Sequence, residues 1–512
     1  MPGQGRELAG RLGAVPRDDG SVELTVWAPR VRTLDVHTAA GAHALDRGDL
    51  GFHRGRFPGR AGDQYRLAVN RAETYPDPCS RSQPHGVRGP SEVVDARAFA
   101  WTDSEWGGIA LDELVVYELH VGTFSREGTF AGAIPHLARL RELGVTAIEV
   151  MPIAAFPGER GWGYDGLYAY APHAGYGGPD GFARLVDAAH AHGLGVLLDV
   201  VYNHVGPGDE ALRAFGPYFT TEHETFWGDA IDYTRRGARE WALQNAEQWV
   251  RDYHVDGLRL DAVHAIFDDS PVHICAELAE RVRAASPDAL VISEIEVGNW
   301  APIDDWGHDA QWADAVHHEL HVLLTGERDG YYAGHGSVRA LAEDLRGRGH
   351  DPRRLVVFAQ NHDQVGNRAL GDRLPAEALR VAAAVVLFSP CTPLLFMGEE
   401  YLERRPFQFF TDHIDPGIAE ATRAGRRREF ERFTSFARAD IPDPQSVETF
   451  LRSKLSHGDP DPLYRRLLAL RRELPRELEV VEADEGAKRL HLRRGRAELV
   501  ADFMTKQVEV AL

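Results

Sequence analysis

Residues 257–266 read GLRLDAVHAI, in which the apolar Leu258, Leu260, Ala262 and Val263 are interleaved with Arg259, Asp261 and His264. A buried strand tolerates a charge only if the charge is paired or performs chemistry, because an unpaired ion out of water is expensive. Arg259 and Asp261 are two apart, so on a strand they point to one face, and a guanidinium beside a carboxylate keeps that carboxylate ionised. An ionised, positioned aspartate is a nucleophile. The competing reading of the pair alone is a buried ion pair that only fixes strand register.

The stretch is one of eight similar runs: VVYELHV, AIEVMPI, GVLLDVV, GLRLDAV, LVISEIE, AQWADAV, RLVVFAQ and PLLFMG. Helical text separates several of them, as in IPHLARLRELG, FARLVDAAHAHG and ELAERVRAAS, with apolar residues at i, i+3 and i+4. Strand then helix, eight times over, predicts an α/β protein built on a (β/α)8 TIM barrel across residues 105–474. Ahead of it, residues 1–104 carry short β-type runs such as VELTVWAP and DQYRLAV, the pattern of an N-terminal β-sandwich. The Pro-rich TYPDPCSRSQPHGVRGPSEVVD reads as an extended connector along the barrel, since proline excludes helix. After the last helix, PLYRRLLALRREL, residues 475–512 alternate as a short C-terminal β domain.

Composition narrows the chemistry. Hydrophobic residues at 43% and charged residues at 26% describe a globular enzyme, and no apolar run is long enough to span a bilayer. A net charge of -21 repels phosphate backbones and anionic lipid, so nucleic acid and membrane partners are not expected and a neutral substrate is. The N-terminal MPGQGRELAG lacks an apolar leader core, and Cys79, Cys275 and Cys391 are odd in number and far apart; a cytoplasmic location is the expectation.

In a TIM barrel the chemistry collects at the C-terminal strand ends. There the third run supplies Asp199, Asn203 and His204, the fourth Arg259, Asp261 and His264, the fifth Glu294, and the seventh Gln360, Asn361, His362 and Asp363. Three carboxylates, Asp261, Glu294 and Asp363, on separate strands are the apparatus of glycoside cleavage: one attacks the sugar carbon while a protonated one gives its proton to the leaving oxygen. Glu294 follows the apolar Leu290–Ile292, and burial beside other carboxylates would keep a proton on it. Glu296 shares its face by simple alternation. Trp162 and Tyr164, in ERGWGYDGLYAY, offer flat faces for pyranose rings. His204, His264, His317, His318 and His362 form no HExxH and no cysteines pair up, so no metal site is expected; nor is there a phosphate-binding glycine loop.

DVVYNH, GLRLDAVH, ISEIE and FAQNHD together resemble the α-amylase clan, glycoside hydrolase family 13, in order and position. VVYELHVGTFSREGTF, VMPIAAFPGERGWGYDG, LLTGERDGYYA and QNHDQVGNRALGDRL narrow the resemblance to the maltooligosyltrehalose trehalohydrolases, from about residue 10 to 470. Glycogen branching enzymes share the clan motifs and an N-terminal sandwich of the carbohydrate-binding type, so a branching-type transferase or a general α-glucan hydrolase is the alternative. A catalytically silent glycan-binding relative would not need the carboxylate trio. The resemblance implies Asp261 as nucleophile, Glu294 as general acid/base and Asp363 as transition-state stabiliser. Arg259 would keep the nucleophile ionised, His204 and His362 would bind sugar hydroxyls, Tyr164 would stack beneath the ring, and Asp199, Asn203 and His264 would complete the shell. The reaction implied is retaining hydrolysis of the α-1,4 bond next to a terminal trehalose, on a maltooligosaccharide-type substrate and without a cofactor. Asp314, His317, His318 and Gln364 are the candidates for holding the trehalose end. Monomer and homodimer both stay open.

Overall fold

A computed structural model describes residues 10–430 and 441–512; the opening MPGQGRELA lies outside the described residues. The eight runs form a closed parallel barrel: Val116–Leu119, Ala147–Val150, Gly195–Val200, Gly257–Leu260, Leu290–Ser293, Ala310–Trp312, Leu355–Phe358 and Thr392–Phe396, in that order around the ring. Neighbouring strands pair in parallel with Ile148 opposite Tyr117, Leu198 opposite Leu258 and Leu258 opposite Val291.

The barrel interior explains the alternation of the sequence. Val116, Ala147, Leu197, Ile292, Ala310, Trp312, Val356, Phe358 and Leu394 pack there as an apolar core separate from the larger core beneath the helices. Side chains two residues on point the same way, toward the mouth. Those positions are Glu118 after Val116, Glu149 after Ala147, Asp199 after Leu197 and Glu294 after Ile292, with Arg259 two beyond Gly257. The charges of GLRLDAVHAI therefore belong to a polar layer that caps an apolar plug.

An antiparallel sheet of eight strands precedes the barrel, and a four-stranded antiparallel sheet, Glu479–Asp484, Arg489–Arg494, Ala497–Asp502 and Gln507–Ala511, follows it. The connector expected to be merely extended contributes two short strands, Thr74–Tyr75 and Ser91–Glu92, to the first sheet. Between them the connector is turns, tied down where Asp77 accepts from Tyr65 at 2.7 Å and Arg81 donates to the carbonyls of Leu12 and Ala14. The last sheet docks on the helix Ala376–Phe388, where Arg494 donates to the Phe388 and Ser389 carbonyls, both at 2.9 Å. No helix among the described residues is long and apolar enough to cross a membrane.

A hairpin, Phe219–Thr225 with Gly228–Ile231, rises from the segment after the third barrel strand. Nothing in TTEHETFWGDAI alternates as a strand should, and the sequence gives no strand signal there.

Candidate active site

Arg259 organises the mouth. Fully buried, it lies over the Trp312 ring at 4.0 Å and donates from one terminal nitrogen to Asp199 at 2.7 Å and Asp261 at 2.9 Å, and from the other to Glu294 at 2.7 Å. A strand-borne guanidinium can grip three carboxylates because its fork is planar and pre-organised. Asp261 stands just past the end of its strand. Its second oxygen accepts from the Asn203 amide at 2.7 Å, and that amide also bonds the Asp261 carbonyl at 2.9 Å. Both carboxylate oxygens are thus fixed before a ligand arrives.

The residue after Asp261 is unusual. Ala262 sits in the left-handed region, φ 41°, a conformation that costs a non-glycine residue on the order of 1 kcal/mol or more. The turn aims the Ala262 amide at Glu294, which accepts from it at 2.9 Å. Glu294 itself is partly exposed, with a guanidinium and an amide on one carboxylate oxygen. The apolar enclosure expected for it is absent, because the residues ahead of it point into the barrel or the helix layer while Glu294 projects past the rim. Glu296 is exposed, since the strand ends at Ser293 and alternation stops with it.

A second chain of contacts runs from the first strand. Glu118 accepts from the His362 backbone amide at 2.9 Å and from its Nδ1, and the His362 Nε2 faces the Tyr164 hydroxyl at 2.8 Å and Asp363 at 3.5 Å. Burial opposes charge on this imidazole, but Asp363 and Glu118 outweigh it and lift His362 to about 10, so it is an imidazolium at neutral pH. The Tyr164 ring stacks on His362 with centroids 5.1 Å apart, and its hydroxyl donates to Asp199 at 2.5 Å. Burial pushes Asp199 up to about 7, with Arg259 opposing and Asp261 adding to the rise. Asp363 lies at the start of the short helix His362–Gly366 and accepts from Asn367 at 2.8 Å, while Asn361 caps that helix through the Gln364 amide.

His204 is neutral. Burial lowers it to about 4; its Nδ1 meets the Asn203 side-chain oxygen and its Nε2 the Tyr164 carbonyl at 3.1 Å. Against it stacks Trp227, 5.1 Å away and 17° from parallel, at the tip of the hairpin and 46% exposed. Trp227 was not read from the sequence, for want of a strand signal in its segment. Glu118 and Glu149 were also missed, although each stands at the alternate, inward position of its run. Both oxygens of Glu149 are buried without a hydrogen-bond partner, and burial, then the neighbouring Glu118, raise its pKa well above the usual carboxylate range.

On the other rim, Gln364 donates to Asp314 at 2.8 Å, and burial together with Glu294 and Asp363 pushes Asp314 up to about 7. His264 is exposed beside the fourth strand end. The remaining expectations separate from the cleft. His317 is 1% exposed, bonded to the Ala359 carbonyl at 2.7 Å, and His318 packs against His335 and Tyr332; both rings, one turn along the helix Asp314–Thr325 from Asp314, are enclosed by packing. Trp162 stacks on Phe407 and bonds the Gln408 carbonyl, which makes it a core residue and not a sugar platform. Among the described residues no group of histidine, cysteine or acidic side chains could hold a metal ion.

Comparison with known proteins fits this geometry. The family model "Alpha amylase, catalytic domain" matches residues 74–216. A malto-oligosyltrehalose trehalohydrolase of Deinococcus radiodurans is 44% identical, covering 91% of this chain and 83% of its own, and one of Saccharolobus solfataricus is 42% identical, covering 89% and 86%. A crystal structure described as a putative alpha amylase from Salmonella typhimurium superposes with a TM-score of 0.88 at 37% identity, over 96% of this chain and 92% of that one.

Proposed function

The chain belongs to the malto-oligosyltrehalose trehalohydrolase family, and from that premise we propose that Asp261, Glu294 and Asp363 carry a retaining hydrolysis at the mouth described above. The protein is a glycoside hydrolase that cleaves the α-1,4 bond adjacent to the terminal trehalose of maltooligosyltrehalose. The observation that carries the assignment of roles is the sharing of Arg259. It holds Asp261 and Glu294 on the two ends of one guanidinium, consistent with the short carboxyl spacing, about 5 to 5.5 Å, that double displacement uses.

In the first step the free electron pair of the Asp261 carboxylate forms a bond to the anomeric carbon as the glycosidic C–O bond breaks. Glu294 passes its proton to the departing O4 of trehalose. Asp363, beside the His362 imidazolium, stabilises the positive charge that builds on the ring. Water then attacks the glycosyl ester, giving a proton back to Glu294 and freeing the shortened maltooligosaccharide with its α-configuration kept. Tyr164 stacks under the reacting ring; His204 and His362 hydrogen-bond its hydroxyls; Asn203, Asp199 and His264 complete the shell. Asp314 and Gln364, which bond each other at 2.8 Å, hydrogen-bond the trehalose end.

Three free, buried cysteines support a reducing, cytoplasmic setting, and the acidic surface supports a neutral oligosaccharide partner without nucleic acid. Incubation with maltooligosyltrehalose and, separately, with plain maltooligosaccharide of equal length tests the function. Trehalose released far faster than glucose or maltose is expected; equal cleavage of both, or new α-1,6 branches, would refute it.

A further inference from the structure

A cavity of about 300 Å³ lies between the N-terminal sheet and the barrel loops, and none of the residues that line it belongs to the catalytic mouth described above. Tyr75 of the sheet, Pro157 after the second barrel strand, Pro207 after the third and Ile414 after the eighth line it with flat or apolar faces, beside the polar Arg66, Thr74, His413 and Asp415. At its rim stand Arg88 and Glu210, both exposed, whose side chains make no hydrogen bond or ion pair with other described residues. Ile414 is 47% exposed. The volume is at the lower end for ligand sites, and apolar faces mixed with polar groups are the lining a sugar ring needs.

We propose that this cavity binds the distal glucose units of the maltooligosyl chain, a remote glucan site outside the catalytic cleft. The reading rests on the function proposed above. Position argues for the occupant. The loops that line the cavity follow the second, third and eighth strands and so rise from the C-terminal face, the same face as the catalytic mouth. Asp314 and Gln364, which take the trehalose end, follow the sixth and seventh strands; in a ring of eight the second strand is opposite the sixth. A substrate anchored by its trehalose end over strands six and seven sends its other arm across the catalytic carboxylates toward the loops of strands eight, two and three. Chemistry agrees. Pyranose rings present apolar faces that suit Tyr75 and the two prolines, and vicinal hydroxyls that both accept and donate, matching a free guanidinium on one side and a free carboxylate on the other.

The test is equilibrium binding of maltotriose and maltoheptaose to the full chain carrying Asp261→Asn, which cannot turn either ligand over, with and without Arg88→Ala and Glu210→Ala together. Both rim residues are exposed, and an unchanged thermal transition checks that the variant is folded. The rim pair should weaken maltoheptaose about tenfold, the loss of one to two hydrogen bonds, and leave maltotriose unaltered. No change for either ligand, or an equal change for both, would overturn the site. Because neither ligand contains trehalose, this result is independent of product analysis: a protein that released no trehalose yet lost maltoheptaose selectively would keep the site and lose the proposed specificity.

Discussion

Glu294 and Glu296 divide sharply at the scale of the single residue, one gripped by Arg259 and the Ala262 amide, the other standing in solvent. Glu294→Gln should therefore lower kcat by about 10²–10⁴-fold, the worth of a general acid, while Glu296→Gln stays within a few-fold. Equal losses in a steady-state assay would remove the assignment. Glu118 bears on the same site through His362. Its carboxylate favours the imidazolium, so Glu118→Gln lowers a pKa that stands near 10, and activity that needs the cation is lost at lower pH on the alkaline side. A kcat/KM profile whose alkaline limb does not move would show that Glu118 has no such role. The charged residues of GLRLDAVHAI were legible because each interrupts an apolar run. Glu118 and Glu149 interrupt theirs equally, but no second charge two residues away marks them as partners. His317 and Trp162 misled for the opposite reason: their residue types suit a sugar site, and only the packing of their helix and loop shows them enclosed.

Elements were legible where a period exists. All eight barrel strands and the helices Leu137–Leu143, Gly178–Ala191 and Ile274–Ala285 fall where alternation or 3.6-residue spacing puts them. The hairpin Phe219–Ile231 and the two connector strands have no such period, because one is polar on both faces and the others are two residues long and held by pairing with a finished sheet. Yet the hairpin brings Trp227 to His204. Trp227→Ala should raise KM several-fold with little change in kcat, and its 46% exposure means thermal stability changes little. A loss confined to kcat, or a large fall in the melting temperature, would mean that the hairpin shapes the site in another way.

For the whole molecule, the N-terminal sheet and the barrel meet along the helix Arg236–Asp252, where Gln244 bonds Leu12 and Gly10 and the indole of Trp27 lies directly on Gly237. A methyl group at Gly237 would enter that ring. The helix gains about 1 kcal/mol from Gly→Ala, but overpacking against a buried indole costs about 1–3 kcal/mol and the ring has little room to move, so Gly237→Ala should lower the urea midpoint. A raised midpoint would mean that this contact is loose. Such seams were not legible in the sequence, since a glycine that meets another domain looks like any glycine in a helix, whereas barrel closure was legible because eight runs repeat. The barrel in turn brings Asp261 and Glu294 to one guanidinium, and the proposed roles make the first the nucleophile and the second the acid. Stereochemistry reads that arrangement out directly. Proton NMR of the maltooligosaccharide in the first minutes of maltooligosyltrehalose cleavage should show the new reducing end as the α-anomer, with β appearing only by mutarotation; a β-anomer formed first would contradict double displacement at Asp261.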